Sequence, residues 1–306
     1  MTLTQRKARR HSPLARSTSR AFYVFISPWL IGFFGFTLLP MAYSLYAAFT
    51  DWNGVTAPVF TGLTNFKYLF FTDNLFWRSV GNTFYYACAT VPINMVVALF
   101  LAQQLNKRMP GSYLFRAIYY LPAVVSGVAV YLVWQQLYNP ITGVINDFLY
   151  MLGIAGPNWL GDAKWSMPAL IFMNVFTCGS QMLILLAGLQ DIPQSYYEAA
   201  QLDGASSRQI YFRITLPLLT PVIFFNLIMG IISALQIYTQ PAVMTDGGPI
   251  NSTYVYGMHL YRTAFWYYEF GKASALAWVL FVIILLLSIF IFRSSRKWVH
   301  YAGEVE

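Results

Sequence analysis

Six long apolar runs, separated by short polar segments, dominate the chain, near residues 22–47, 80–104, 113–138, 167–189, 216–239 and 270–292. A helix crossing the hydrocarbon core of a bilayer needs about 20 largely apolar residues, and each run meets that length. The pattern predicts an all-α, polytopic membrane protein with six transmembrane helices. The segments between alternate runs, 48–79, 139–166 and 240–269, carry the turn formers Asp51-Trp52-Asn53-Gly54, Asn139-Pro140 and Asp246-Gly247-Gly248-Pro249. Trp52, Trp77, Trp159, Trp165, Trp266, Tyr267 and Tyr268 cluster at run edges on that side, where rings that are half apolar and half polar sit at a membrane interface.

Composition agrees with lipid as the solvent. Of 306 residues, 58% are hydrophobic and only 10% are charged, too few charges to cover a soluble globule of this size. The Lys and Arg residues set an orientation, because basic segments next to a span resist translocation. Fourteen of the nineteen fall on one side, at the N-terminus (Arg6, Lys7, Arg9, Arg10, Arg16, Arg20) and after the second, fourth and sixth runs. The acids divide nearly evenly. Both termini are therefore expected to be cytoplasmic. The net charge of +8 resides in these juxtamembrane clusters, which suit anionic lipid headgroups better than nucleic acid. Residues 1–20 are basic and Ser-rich and read as a disordered tail, residues 21–292 as one six-helix membrane domain, and residues 293–306 as a second tail. The first apolar run is too long for a cleaved signal peptide and reads as a retained span.

Several classes of chemistry find no support. Cys88 and Cys178 both lie inside predicted spans, so no disulfide framework or metal cluster is expected. His11, His259 and His300 are scattered without metal-ligand spacing. Gly271-Lys272-Ala273-Ser274 lacks the upstream glycine of a phosphate loop, so no ATP site is expected on this chain. Asn251-Ser252-Thr253 reads as a turn rather than a glycosylation site. No acidic or histidine cluster suggests an enzyme, and no charged side chain lies in the middle of a span, which argues against a proton relay or ion-coupled carrier.

Pro28, Gly32, Gly35, Pro40, Pro92, Pro122, Gly127, Pro217, Pro221 and Gly230 lie within the runs. In lipid, neighbouring helices must satisfy the backbone groups that such residues free, so they point to a packed bundle. Polar side chains within the runs point the same way. Asn174 and Gln181 in the fourth, and Asn226, Ser233, Gln236, Tyr238 and Gln240 in the fifth, are candidate pathway residues, with Asn94 in the second. Ser233, Gln236 and Gln240 recur at spacings of three and four and would share a helix face. Each also suits plain interhelical hydrogen bonding. Aromatic rings and neutral amides together are what a hydroxyl-rich solute needs.

One loop, 190–217, departs from the apolar pattern. Its physical reading is two short helices in water: Ser195 caps the first, with Tyr197, Ala200 and Leu202 on one side. Gly204 ends it in a left-handed turn, and the second begins near Ala205 or Ser206 and runs to Pro217. Glu198-Ala199-Ala200, three residues, Gly204, nine residues, Ile214, one residue and Leu216-Pro217 resembles the EAA motif of the permease subunits of ABC importers, with every marked position matched. Met244-Thr245-Asp246-Gly247-Gly248-Pro249 with Asn251 and Thr253, and Phe270-Gly271-Lys272-Ala273-Ser274-Ala275, are similar to segments of carbohydrate-type permeases related to the larger maltose permease subunit and the glycerol-phosphate permeases. The compact six-span form is the closer match.

The resemblance implies a bacterial inner (cell) membrane location and that this loop is a coupling helix docking on a cytoplasmic ATPase. Glu198 and Asp203 would be polar contacts, Ala199, Ala200 and Ala205 close-packing contacts, and Gly204 the turn. It further implies a second permease subunit in a heterodimer, two ATPase subunits carrying ATP and Mg, and an extracytoplasmic solute-binding protein. The solute would be of sugar type, with monosaccharide, oligosaccharide, polyol and glycerol-phosphate all open. The rival expectation is a secondary transporter or channel working alone, which needs no docking loop.

Overall fold

The computed structural model describes residues 13–107 and 111–300. Arg6, Lys7, Arg9, Arg10 and Arg108 lie outside them, as do residues 301–306. Helix α1 (Pro13–Gly32) passes through a π-helical stretch (Phe33–Leu38) into α2 (Leu39–Ala47). A two-residue hairpin follows, β1 (Thr50–Asp51) pairing antiparallel with β2 (Val59–Phe60), then α3 (Thr64–Phe71) and the long α4 (Asn74–Asn106). After α5 (Ser112–Val124) and α6 (Gly127–Leu137) come α7 (Val144–Met151), α8 (Ser166–Val175) and α9 (Gly179–Gln190). The loop motif forms α10 (Gln194–Leu202) and α11 (Ser207–Ile210), which continues through a π turn (Tyr211–Thr215) into α12 (Leu216–Leu235). Last come α13 (Thr239–Met244), α14 (Tyr256–Phe265) and α15 (Phe270–Ser295).

Five helical stretches are long and apolar enough to cross a membrane, Phe22–Ala47, Asn74–Asn106, Ser166–Gln190, Ser207–Leu235 and Phe270–Ser295; α5 and α6 together supply a sixth. The folded chain departs from the sequence expectation in four places. The first helix reaches back to Pro13, so residues 13–20 are helical rather than part of a disordered tail. The sixth span runs to Ser295, three residues into the predicted C-terminal tail. The third span is not straight: α5 and α6 meet at 101°. Pro122 has no amide for the carbonyl four residues back, and Val125 and Ser126 then turn extended before Gly127 restarts the helix. The fifth span begins at Ser207 and stops at Leu235, so Gln236 and Tyr238 lie in a break rather than on a continuing helix face.

Helix α4 is the spine of the bundle, lying against α8, α9 and α12. Its fully buried Ala98 and Ala102, one turn apart, let the α9 side chains Met182, Leu185 and Leu189 approach closely. Where α9 crosses α5, a Cβ at Gly179 would collide with the Tyr119 carbonyl oxygen, so only glycine fits. A second cluster joins α4, α6, α8, the end of α12 and α13 around Tyr138, Leu170 and Met173. A third joins α2, α3, α4, α14 and α15 through Leu69, Phe76, Tyr256 and Leu276. By contrast, the first span has no buried residue in its most apolar stretch and meets the bundle chiefly where α2 touches α15.

The short helices α3, α7 and α14 occupy the segments read as turn-rich loops. They cap the end of the bundle remote from α10. There Asp73 accepts the Leu75 and Phe76 amides at the start of α4 and also meets His259 Nε2 at 2.9 Å. Burial pushes His259 below the ordinary histidine value, against the pull of the Asp73 carboxylate, and Tyr254 Oη lies 3.3 Å from its other ring nitrogen. Gly271 abuts the Thr50 carbonyl and Lys272 pairs with Glu269, which gives the Gly-Lys dipeptide a structural place.

Candidate functional site: a loop knob and a polar cavity

The knob is built by local rules. Pro193, in extended conformation, precedes α10 with no side-chain cap, so the Ser195 cap expected from sequence is not formed. Gly204 has φ +76°; the Ala205 amide donates to the Ala200 carbonyl and the Gly204 amide to the Gln201 carbonyl, the paired bonds of a left-handed helix end. Ser206 then caps α11 through the Gln209 amide while the Gln209 side chain accepts from the Ser206 amide. Thr215 Oγ1 donates to Tyr197 Oη at 3.3 Å, tying α10 to the π turn.

The two faces of α10 differ from the sequence assignment. Tyr197 and Ala200 turn toward the chain's own body, but Leu202 is 90% exposed. Glu198, Ala199, Asp203 and Gly204 are also exposed, with Ala205 half-buried. Ala199 and Leu202, one turn apart, share the outward face. An exposed leucine at the tip of a polar loop is the feature the sequence reading missed.

The 29-residue stretch Ser207–Leu235 follows the knob, and its far half lines a cavity of about 470 Å³. Helix α4 contributes Tyr86, Thr90 and Asn94, spaced four apart on one face. Asn174, Thr177 and Gln181 come from α8, α9 and the turn between them, Asn226 and Ser233 from α12, Gln240 from α13 and Tyr131 from α6. No Lys, Arg, Asp or Glu among the described residues lines it. Six of the predicted polar residues are thus brought together: Asn94, Asn174, Gln181, Asn226, Ser233 and Gln240. Gln236 and Tyr238 do not line the cavity. Gln236 ends α12, and the Tyr238 ring lies over Tyr261, centroids 4.7 Å apart. The four-residue spacing of Tyr86, Thr90 and Asn94 was the available signal for the α4 wall.

Hydrogen bonding divides the cavity. At the end remote from α10, Tyr86 Oη donates to Gln240 Oε1 at 2.9 Å, and Asn174 Nδ2 reaches Tyr86 Oη at 2.8 Å and Gln240 Oε1 at 3.0 Å. Gln240 Nε2 donates to the Leu170 carbonyl at 3.0 Å. Deeper, toward α10, the buried Asn94 Oδ1 and Gln181 Oε1 have no partner among the described residues. Both residues belong to the cavity lining.

Five spans and a bent sixth around a polar cavity without charged lining residues, with an exposed helical knob that leads through the Gly204 turn into one wall, are the features of a membrane transport subunit. The family model of binding-protein-dependent transport system inner membrane components matches residues 74–300. The chain belongs to this family. It is 42% identical to the probable ABC transporter permease protein YesP of Bacillus subtilis, with all of both chains covered. It is 34% identical to the multiple sugar-binding transport system permease protein MsmF of Streptococcus mutans, over 86% of this chain and 90% of that one. The fold is also that of a chain from the crystal structure of a bacterial alginate ABC transporter in complex with its alginate pentasaccharide-bound periplasmic protein: TM-score 0.82, 24% identity, covering 95% of this chain and all of the other.

Proposed function

We propose that this chain forms one half of the translocation pathway of an ATP-driven importer for a neutral, sugar-type solute, paired with a second permease subunit. Two ATPase subunits on the α10 side carry ATP and Mg and perform the hydrolysis; this chain binds no cofactor and makes or breaks no covalent bond. A solute-binding protein delivers cargo to the opposite face. The sugar reading rests on the uncharged amide and hydroxyl lining of the cavity and on relatives such as MsmF and the lactose permease LacF, 32% identical.

The observation that supports the coupling role is the unbroken helical path Ser207–Leu235, which begins just after the Gly204 turn of the knob and ends in the cavity wall. ATPase closure on Glu198, Ala199, Leu202, Asp203 and Gly204 then rotates the α12 face bearing Asn226 and Ser233. The α10 side is the cytoplasmic side in this reading, by the distribution of Lys and Arg. The end of α15 lies on the same side, where the His300 amide donates to Thr220 Oγ1 near the start of α12.

The test is purification of the tagged chain from its native membrane, with identification of what accompanies it and an ATPase assay against a panel of sugars. Recovery of a second permease and an ATPase, stimulated by one binding protein with its sugar, is expected. A chain that purifies alone, without ATPase activity, contradicts the proposal and returns the lone-transporter alternative.

A further inference from the structure

At the end of the bundle remote from α10, the β1–β2 hairpin, α3 and the start of α15 line a second polar cavity, of about 280 Å³, which shares no residue with the solute cavity. Backbone contacts fix its walls. The Gly271 amide donates to the Trp52 carbonyl at 3.1 Å, and a Cβ at Gly271 would collide with the Thr50 carbonyl oxygen, so the hairpin rests directly on the first turn of α15. Asn65 ties α3 to the same segment: its Nδ2 donates to the carbonyls of Ala48 and Thr50, at 3.0 and 2.8 Å.

The groups left over in this cavity are acceptors. Asn65 spends its amide hydrogens on the two carbonyls, which fixes the amide's orientation, and no donor among the described residues reaches its Oδ1, although the residue is only 6% exposed. The hydroxyls of Thr61 and Thr64 donate to the carbonyls of Phe49 and Thr61, so they too offer lone pairs. Glu269 receives Lys272 Nζ on Oε1 at 2.7 Å, and the same ammonium is held aside 4.1 Å from the centre of the Tyr68 ring. Asp51 is exposed and has no ion-pair partner among the described residues. Two carboxylates against one ammonium leave the cavity with one unbalanced negative charge.

We infer that this cavity is a socket for one cationic side chain, a lysine or arginine, presented by the solute-binding protein. The inference rests on the transport reading above and adds to it the place and the chemistry of one docking contact. Charge selects the ligand, because an unbalanced carboxylate beside Asn65 Oδ1 suits a donor with a single positive charge. Size selects it too. The volume lies below the roughly 300–1,000 Å³ of small-molecule pockets, too small for an oligosaccharide and enough for an ammonium or guanidinium head. Position selects the partner, since the end remote from α10 is the face to which the binding protein delivers cargo. The walls are already tied together by Gly271 and Asn65, so little ordering opposes docking.

The test uses the complete transporter in lipid nanodiscs with the binding protein that stimulates its ATPase, and reads the binding-protein concentration at half-maximal stimulation. Asp51→Asn removes the unbalanced charge at constant shape and should raise that concentration roughly tenfold; Asp51→Lys should raise it further. The dependence on salt should flatten in Asp51→Asn, since one charge pair has gone. Asp147→Asn, an exposed acid of α7 at the same end of the bundle, controls for the general field and should behave as the parent. One lysine or arginine of the binding protein, changed to glutamate, should restore the Asp51→Lys complex. Parental half-saturation in both Asp51 variants, in complexes intact by gel filtration, would overturn the socket, as would an equal shift in Asp147→Asn or failure of every such charge exchange. A tryptophan fluorescence response to sugar alone that Asp51→Asn abolishes would make the cavity a sugar site instead. Failure of the transport reading shows itself separately, as a parent complex that no binding protein stimulates, and that result removes the socket's partner with it.

Discussion

At the α10 end, span five runs from Ser207 through a π turn into α12 without interruption; at the opposite end it stops at Leu235 and α13 begins only at Thr239. The α10 end also finishes in well-capped turns at Gly204 and Ser206, whereas the remote end relies on side-chain amides reaching across from other helices. A continuous helix passes on a displacement, and a broken one absorbs it. In the proposed reading, one span would serve as a lever at the α10 end and as a flexible joint at the other.

Rigidity near the α10 end also depends on the close crossing of α5 and α9. Gly179→Val places a side chain where the Tyr119 carbonyl already sits, and the expected result is loss of the folded protein, with destabilisation of about 3 kcal/mol or more by overpacking. Yield of monodisperse protein in detergent, against Gly35→Val as a control in open space, checks it.

The exposed face of α10 gives the next effect. Leu202→Ala should leave thermal stability unchanged, since the side chain touches little of its own chain, yet weaken ATPase capture roughly tenfold, the worth of one well-buried apolar anchor. Titration of the purified permease pair with ATPase subunits reads this directly. Equal capture would place the docking contact on the acidic residues instead.

A smaller change is expected at Ser206→Ala. It removes the α11 cap and should cost about 1 kcal/mol, read as a lower melting temperature that Ser206→Asp restores. The remote end supplies the smallest effect, a pH dependence. Because burial holds His259 below its ordinary value of 6.5, the folded protein resists a proton that the unfolded chain accepts. Stability is therefore full above that value and falls as pH drops through it toward the depressed folded value. Melting temperature against pH should show this slope below about 6.5, and His259→Gln should flatten it.

The spans were legible in the sequence because about 20 apolar residues in a row suit the thickness of a bilayer and little else. The knob was legible because Gly204 and Ser206 are local stop and start signals, whose bonds form within a few residues. The breaks were not. Pro122 precedes a 101° bend, yet Pro92 and Pro221 sit inside unbroken α4 and α12, so the residue type marks a weak point and tertiary packing decides whether it yields. The orientation of Leu202 was legible as well: two residues beyond Ala200, the helical period puts it on the opposite face, with Ala199, so grouping it with Tyr197 and Ala200 misread the period. Asn174 and Gln240 stand out in sequence as polar residues in lipid; that they satisfy each other depends on a contact 66 residues apart along the chain.

The most direct test of the lever is Gly204→Asp, measured as solute uptake in cells at matched expression. A Cβ at Gly204 meets open space, so the chain should insert and fold, but a charge enters the middle of the docking knob at a left-handed turn. The account predicts loss of uptake with the membrane content of the protein unchanged. Normal uptake by that variant would contradict it, because the knob could not then be the part on which the ATPase pulls.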